Sequence, residues 1–164
     1  MGERDHLPLF GVGPAYVACI LLTTAAGIAA TRLGMLPRAS VLELELPLVV
    51  AGAILAALAV AVWVMGAVVS KIDAHVERNE LVTTGVYAWV RNPIYSAFLI
   101  ACLGAILVAG NLWLLVLTPI HWLALTLLMR RTEERWLAEL HGSTYLDYCR
   151  RVNRVVPWPP RRRA

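Results

Sequence analysis

Three runs without a single charged side chain dominate this sequence: Leu7 to Thr31, Leu46 to Ser70 and Asn92 to Met129. Each of the first two would reach roughly 37 Å as a helix, more than a hydrocarbon core of ~30 Å requires. The third contains Ala109-Gly110-Asn111, a turn signal that divides it into two crossings of a tight hairpin. In lipid a chain must satisfy its own backbone polar groups, and a helix does so within one segment. The expected fold class is therefore all-α integral membrane, with about four transmembrane helices at about 13–30, 47–69, 93–108 and 112–129. A C-terminal cytosolic helical segment, 130–164, would follow. Nothing marks an internal boundary, so the 164 residues read as one domain.

The first helix is entered through Pro8 and Pro14. Its Ala25, Ala26, Gly27, Ala29 and Ala30 would form a close-packing face, as would Ala53, Ala56, Ala57 and Ala61 in the second. Pro119 predicts a kink or local bend in the fourth. His121 is the one ionisable residue in the last two spans; it is either functional or satisfies a carbonyl freed by that proline. With Glu3, Arg4 and Asp5 ahead of the first run and no convincing small-residue cleavage site after it, that run reads as a retained helix.

Charge sets the orientation. With four spans the N-terminus, the 71–91 loop and the C-terminal tail share a side carrying 13 basic residues, against Arg32 and Arg38 on the other. By the positive-inside rule the loop, the tail and both termini are cytosolic. The formal net charge of +4 thus reports topology and headgroup contact, Arg161-Arg162-Arg163 included, and no recognition motif points to nucleic acid. Cys19, Cys102 and Cys149 have no spacing that suggests a disulfide framework, and no metal cluster is expected.

One polar stretch, Glu80 to Tyr95, stands between the apolar runs. Gly85 permits a sharp turn, and Tyr87, Trp89 and Tyr95 have rings suited to a membrane–water boundary. Asn92-Pro93 reads as an Asn cap followed by proline at the first helical position. The positive end of that helix would face the loop and suit an anionic group of a ligand. Beyond the last span, Arg130 to Leu140 reads as a helix ending near Gly142. Its period places Glu133 on a stripe with Trp136, Leu137 and Leu140, and turns Glu134 away, towards Ala138 and His141. A carboxylate on an apolar face needs a partner or a ligand. A second amphipathic piece, Tyr145 to Val152, precedes a proline-rich end.

Topology lets the loop and the tail meet. A helix terminus, aromatic rings, an apolar-face acid and arginines suit a cofactor with cationic, anionic and aromatic parts, of which S-adenosylmethionine is one. Aromatic faces would suit its sulfonium, and Glu133 its amino or ribose groups.

Leu81-Val82-Thr83-Thr84-Gly85-Val86-Tyr87-Ala88-Trp89-Val90-Arg91-Asn92-Pro93-Ile94-Tyr95 resembles the signature of the isoprenylcysteine carboxyl methyltransferase and phospholipid methyltransferase families. Glu133-Glu134, Gly142, Tyr145, Tyr148, Val152 and Pro157 resemble their C-terminal signature in order and spacing. The likeness covers roughly residues 79 to 158. It implies S-adenosylmethionine enclosed at the cytosolic membrane face. Asn79, Glu80, Leu81 and Val82 would line it, Gly85, Tyr87, Asn92, Pro93, Ile94 and Tyr95 would hold a second side, and Glu133 with Glu134 a third. Two positions depart from the pattern. Asn92 stands where these families commonly have His. Met129, with Arg130 adjacent, stands where the carboxyl methyltransferases carry a substrate-contacting arginine.

Arg130 and Glu133 are the candidate catalytic residues, Arg130 or Arg131 holding a carboxylate or phosphate headgroup. The acceptor would be a lipid-like or isoprenoid amphiphile. A carboxylate acceptor needs no base, whereas an amine or phenol would give up a proton. Two rivals are an NADPH-dependent reductase like the sterol reductases, whose C-terminal half is similar, and a non-catalytic lipid-binding scaffold.

Overall fold

The structure is a computed structural model that describes residues 12–40, 42–70, 72, 75 and 78–160. The acidic and basic N-terminus, Pro8, Lys71, Asp73, Glu77 and the basic triplet 161–163 lie outside the described residues. Helix α1 is Gly13–Arg32, α2 is Glu45–Trp63, α3 is Pro93–Ala109, α4 is Leu117–Arg131 and α5 is Glu133–Arg151. A six-residue π-helical stretch, Val64–Val69, prolongs α2, and a 3₁₀ stretch, Leu112–Val116, leads into α4. Short 3₁₀ turns also form at Leu42–Leu44 and Gly85–Ala88. Among the described residues the secondary structure is helical, apart from one isolated parallel bridge between Val90 and Asn153.

Among the described residues, three helical segments are long and apolar enough to cross a membrane: Gly13–Arg32, Glu45–Val69 and Leu112–Arg131. The apolar α3 has 17 residues. Large apolar side chains such as Leu22, Ile54, Val60 and Leu123 face outward, the inverse of a water-soluble protein and suited to a bilayer. The main core is small and lies towards one end. It joins Tyr16 and Ile20 of α1, Leu99 and Cys102 of α3, Leu125 and Met129 of α4, and Val155 of the tail.

The helix contacts follow small residues, only some of them those expected: of the expected set, Gly27 packs closely on Leu114, and the Ala56 backbone lies close to Gly104. A Cβ on Gly52 would lie 2.6 Å from the carbonyl oxygen of Gly104, and one on Gly104 would lie 2.9 Å from that of Gly52. Two glycines therefore let α2 and α3 touch backbone to backbone. On α2 the buried residues are Gly52, Ala59 and Val62, while Ala53, Ala57 and Ala61 are exposed. On α1 they are Gly13, Tyr16, Ile20, Thr24 and Thr31, and Ala25, Ala26 and Ala29 point outward. Composition marked the helices as closely packed; the helix rotations decide which small residues face a neighbour.

The hairpin turn falls where expected. Gly110 adopts the left-handed conformation (φ 68°) that closes α3. Asn111, almost fully buried, accepts from the amides of Ala39 and Trp113 at 3.2 Å and donates to Thr31 Oγ1 at 3.0 Å. It thereby ties the α1 end, the following loop and the hairpin together. Pro119 produces no mid-helix kink. It lies in the first turn of α4, just after the change from 3₁₀ to α geometry at Leu117, where a missing amide costs little. His121 is buried, with Nε2 2.9 Å from Thr23 Oγ1, and its carbonyl accepts from the Tyr16 hydroxyl at 2.9 Å. The ring joins α4 to α1 and does not serve a freed carbonyl.

Candidate active site

The two motif-bearing segments meet. The Tyr95 hydroxyl donates to Glu133 Oε1 at 2.7 Å, bridging 38 positions of sequence from the first turn of α3 to the first residue of α5. Tyr95 also makes an edge-to-face contact with Tyr16, ring centroids 6.2 Å apart. A Cβ on Gly13 would fall 1.9 Å from the Tyr95 hydroxyl, so the start of α1 leaves room for this pair. Burial pushes the Glu133 carboxyl above the usual carboxylate range; the Tyr95 hydrogen bond opposes this and the charge of Glu134 adds to it.

Glu134, off the Glu133 stripe, is nonetheless engaged. Its side chain, 12 % exposed, accepts from Arg154 Nε at 2.6 Å and Nη2 at 2.8 Å, and Arg91 Nη1 lies 3.2 Å away. The forked pair with Arg154 is the strong bidentate geometry, and it holds the Arg154 guanidinium above its ordinary value despite burial. The reason lies beyond α5: the tail folds back along residues 89–92. Arg91 N donates to Asn153 O at 2.9 Å, Asn92 N to Arg154 O at 3.2 Å and Trp158 N to Trp89 O at 3.1 Å. Arg154 and Arg91 thus reach Glu134 away from the stripe that carries Glu133.

Asn92 occupies the residue before α3, but its side chain does not cap the helix. Its Nδ2 donates instead to Arg154 O at 3.0 Å. The first amides of α3 are therefore left without a side-chain cap, an arrangement that suits an anionic group. Pro93 is buried and packs on the π-helical turn, where a Cβ on Gly66 would lie 3.0 Å from its ring.

Tyr87 is buried, not a boundary anchor. Its hydroxyl is 3.4 Å from Gly66 O, and its carbonyl accepts from the Tyr148 hydroxyl at 2.6 Å. Trp89, half exposed, keeps the boundary role. Leu81 packs on Tyr145, Tyr148 and Val152, and Val82 and Ile94 are half-buried. Burial raises the hydroxyls of Tyr145 and Tyr148 well above the ordinary phenol value. Gly85 and Asn79 take positive φ of 61° and 54°, shaping the two bends of the loop. As expected, the helix that starts at Glu133 ends at Gly142 (φ 54°, ψ −130°), and a second helical run follows it to Arg151 within the span called α5.

Not every expected residue joins this assembly. Glu80 is exposed and bonds His75 Nδ1 at 2.7 Å. Arg130 and Arg131 are exposed at the end of α4, with no hydrogen bond or ion pair to the site among the described residues. Met129 is fully buried in the core, so the place of the substrate-contacting arginine is a packing position. Gly13, Arg91 and Arg154 are parts of this assembly that the sequence reading does not single out. The one available signal was three arginines, Arg150, Arg151 and Arg154, flanking a buried valine.

The sequence relationships bear on this geometry. A model of the phospholipid methyltransferase family matches residues 40–144, which include both Tyr95 and Glu133. The chain belongs to the phospholipid methyltransferase family. It is 36 % identical over 85 residues to a protein-S-isoprenylcysteine O-methyltransferase of Schizosaccharomyces pombe, covering 49 % of this chain and 34 % of that protein. It is 36 % identical over 75 residues to methanethiol S-methyltransferase 1 of Bradyrhizobium diazoefficiens, covering 44 % and 25 % respectively. With protein-S-isoprenylcysteine O-methyltransferase B of Arabidopsis thaliana it shares 34 % over 89 residues, 50 % of this chain and 42 % of the relative. The aligned stretches thus span a quarter to about two-fifths of these relatives' own length. No solved structure matches the chain.

Proposed function

We propose that this chain is an integral membrane methyltransferase that uses S-adenosylmethionine to methylate a lipid-like or isoprenoid amphiphile at the cytosolic membrane face. The observation that carries the reading is the Tyr95–Glu133 hydrogen bond of 2.7 Å. It joins the two halves of the family pattern at one half-buried acid. The relatives' names support methyl transfer as the reaction, although they span carboxylate and thiol acceptors.

The residues present fit the proposed donor. Glu133, oriented by Tyr95, would accept hydrogen bonds from its amino or ribose groups. The amides at the start of α3, which lack a side-chain cap, would receive its carboxylate. Tyr87 and Tyr95 offer aromatic faces to a cation, and Asn79, Leu81, Val82, Gly85, Pro93 and Ile94 would shape the surround. Bound S-adenosylmethionine supplies an electrophilic methyl group carried on a sulfonium. The chain's own contribution is positioning and exclusion of water. Tyr148 holds the Tyr87 carbonyl, and Glu134 clamps the tail onto the loop, so Glu134 supports the site through Arg91 and Arg154 rather than through the ligand. Glu80 and Arg130 would need to turn inward to take part.

In this reading α3 is a fourth span, its 17 residues falling at the short end of the spanning range. The loop, the tail and both termini are cytosolic, and residues 1–164 form one methyltransferase domain. Calorimetry on the purified chain tests the donor: S-adenosylhomocysteine should bind and NADPH should not. Binding of NADPH alone would install the reductase reading, and binding of neither the scaffold. A labelled-methyl assay on total lipid extract then identifies the acceptor.

A further inference from the structure

A cavity of about 330 Å³ lies between α4 and the tail. We propose that it binds the anionic phosphate of a bilayer lipid, at a site apart from the methyl-donor site. Arg91, Arg150, Arg151 and Arg154 line it together with Trp122 and Thr126 of α4. Tyr95 and Glu133 do not line it; Val155 faces the cavity and also packs in the cluster that contains Tyr95.

Three observations converge on an anion. The first is charge. Glu134 pairs with Arg91 and Arg154, and Asp147 with Arg150. Four guanidinium groups against these two carboxylates leave an excess of two positive charges. The second is an unmet donor: Arg91, whose side chain is only 9 % exposed, has a buried Nε with no partner. Buried donors in folded proteins are almost always satisfied; this one lies beneath the cavity wall, where a small shift of the guanidinium would bring it to a bound anion. The third is Thr126, a lining residue whose hydroxyl likewise has no partner and lies buried just behind the same wall.

The membrane supplies the occupant. Trp122 is 46 % exposed at the cavity, and Leu123 and Leu127 continue the exposed apolar surface of α4. A phosphate seated among the arginines would leave its acyl chains along that surface. A basic pocket at the cytoplasmic end of membrane helices is the expected setting for an anionic headgroup. Its volume is at the lower end for a small-ligand site, enough for a headgroup and not for the whole lipid. Occupancy would brace the tail against α4 and hold Arg91 and Arg154 where they grip Glu134.

The test measures lipid binding to the full chain in detergent by titrating mixed micelles of phosphatidylglycerol or phosphatidylcholine, with inorganic phosphate as a third arm. Phosphatidylglycerol should bind more tightly than phosphatidylcholine, and inorganic phosphate should compete poorly. The variant R150Q/R151Q, changed at two rim positions of the cavity, should lose affinity for phosphatidylglycerol by on the order of tenfold or more. Thr126→Val should lose several-fold, with an unchanged melting temperature reporting intact folding in both. Equal affinity for the two lipids, or wild-type affinity in R150Q/R151Q, overturns the proposal. Inorganic phosphate binding as tightly as the lipid assigns the pocket to a soluble anion and overturns it too. S-adenosylhomocysteine titrated into the wild type separates the two readings: failure there removes the methyl donor and leaves the lipid result standing.

Discussion

Glu133 is a half-buried acid held by one phenol, and both facts have measurable consequences. Because burial raises its native value, the folded chain holds the proton to higher pH than the unfolded chain does. Stability from this group therefore falls as pH rises from the ordinary carboxylate range through the raised native value. Glu133→Gln should melt like the wild type at low pH and above it near neutrality, by differential scanning calorimetry in detergent. The same variant should bind S-adenosylhomocysteine at least about tenfold more weakly, since it loses a charge-assisted acceptor. Unchanged affinity would remove Glu133 from the donor site. Gly13→Ala offers an independent route to the same pair. Its methyl group would displace the Tyr95 hydroxyl, so ligand affinity should drop although no ligand-facing group has changed.

At the scale of elements, the tail is as much part of the site as the loop. Ser96 Oγ donates to Val155 O, and the tail's amide partners lie along 89–92, so α3, α5 and the tail move together. Glu134→Ala would strand Arg91 and Arg154 as partly buried cations. Breaking a buried pair in this way costs about 3–5 kcal/mol, less here by the share that Arg154, 24 % exposed, recovers from solvent. The expected result is a melting temperature lowered by several degrees and a protease-sensitive tail, even with ligand present. The α2–α3 contact makes a contrasting prediction. Gly104→Val would drive a side chain into the Gly52 carbonyl, costing about 1–3 kcal/mol as overpacking. That loss should appear in stability, far from the Tyr95–Glu133 pair.

For the whole molecule, the decisive property is the number of crossings. With α3 spanning, Ser40 and Ser143 lie on opposite faces of the membrane. Single cysteines placed there in a Cys-free background should label with an impermeant maleimide from opposite sides, Ser143 from the cytosol. Labelling of both from one side would make α3 a re-entrant or surface element and undo the proposed orientation. The outward apolar faces of α1, α2 and α4 hold in either case, because they follow from composition.

The sequence alone determined the helical class, the positions of the apolar segments, the hairpin turn at Gly110 and the two motif segments bearing Tyr95 and Glu133. These are properties of local composition and short spacing: uncharged runs force helices in lipid, glycine permits a left-handed turn, and ordered motifs survive as patterns. Only the tertiary structure decided that Gly52 and Gly104 set the closest α2–α3 approach, because small residues are available all round those helices. It also decided that Asn92 binds the tail instead of capping α3, and that Glu134 grips two arginines. Both depend on Arg154, which returns across 20 residues to Glu134 and 62 to Asn92, a closure that no local period encodes. What began as a polar island between apolar runs is held in place by a tail whose own sequence announces only a basic, proline-rich end.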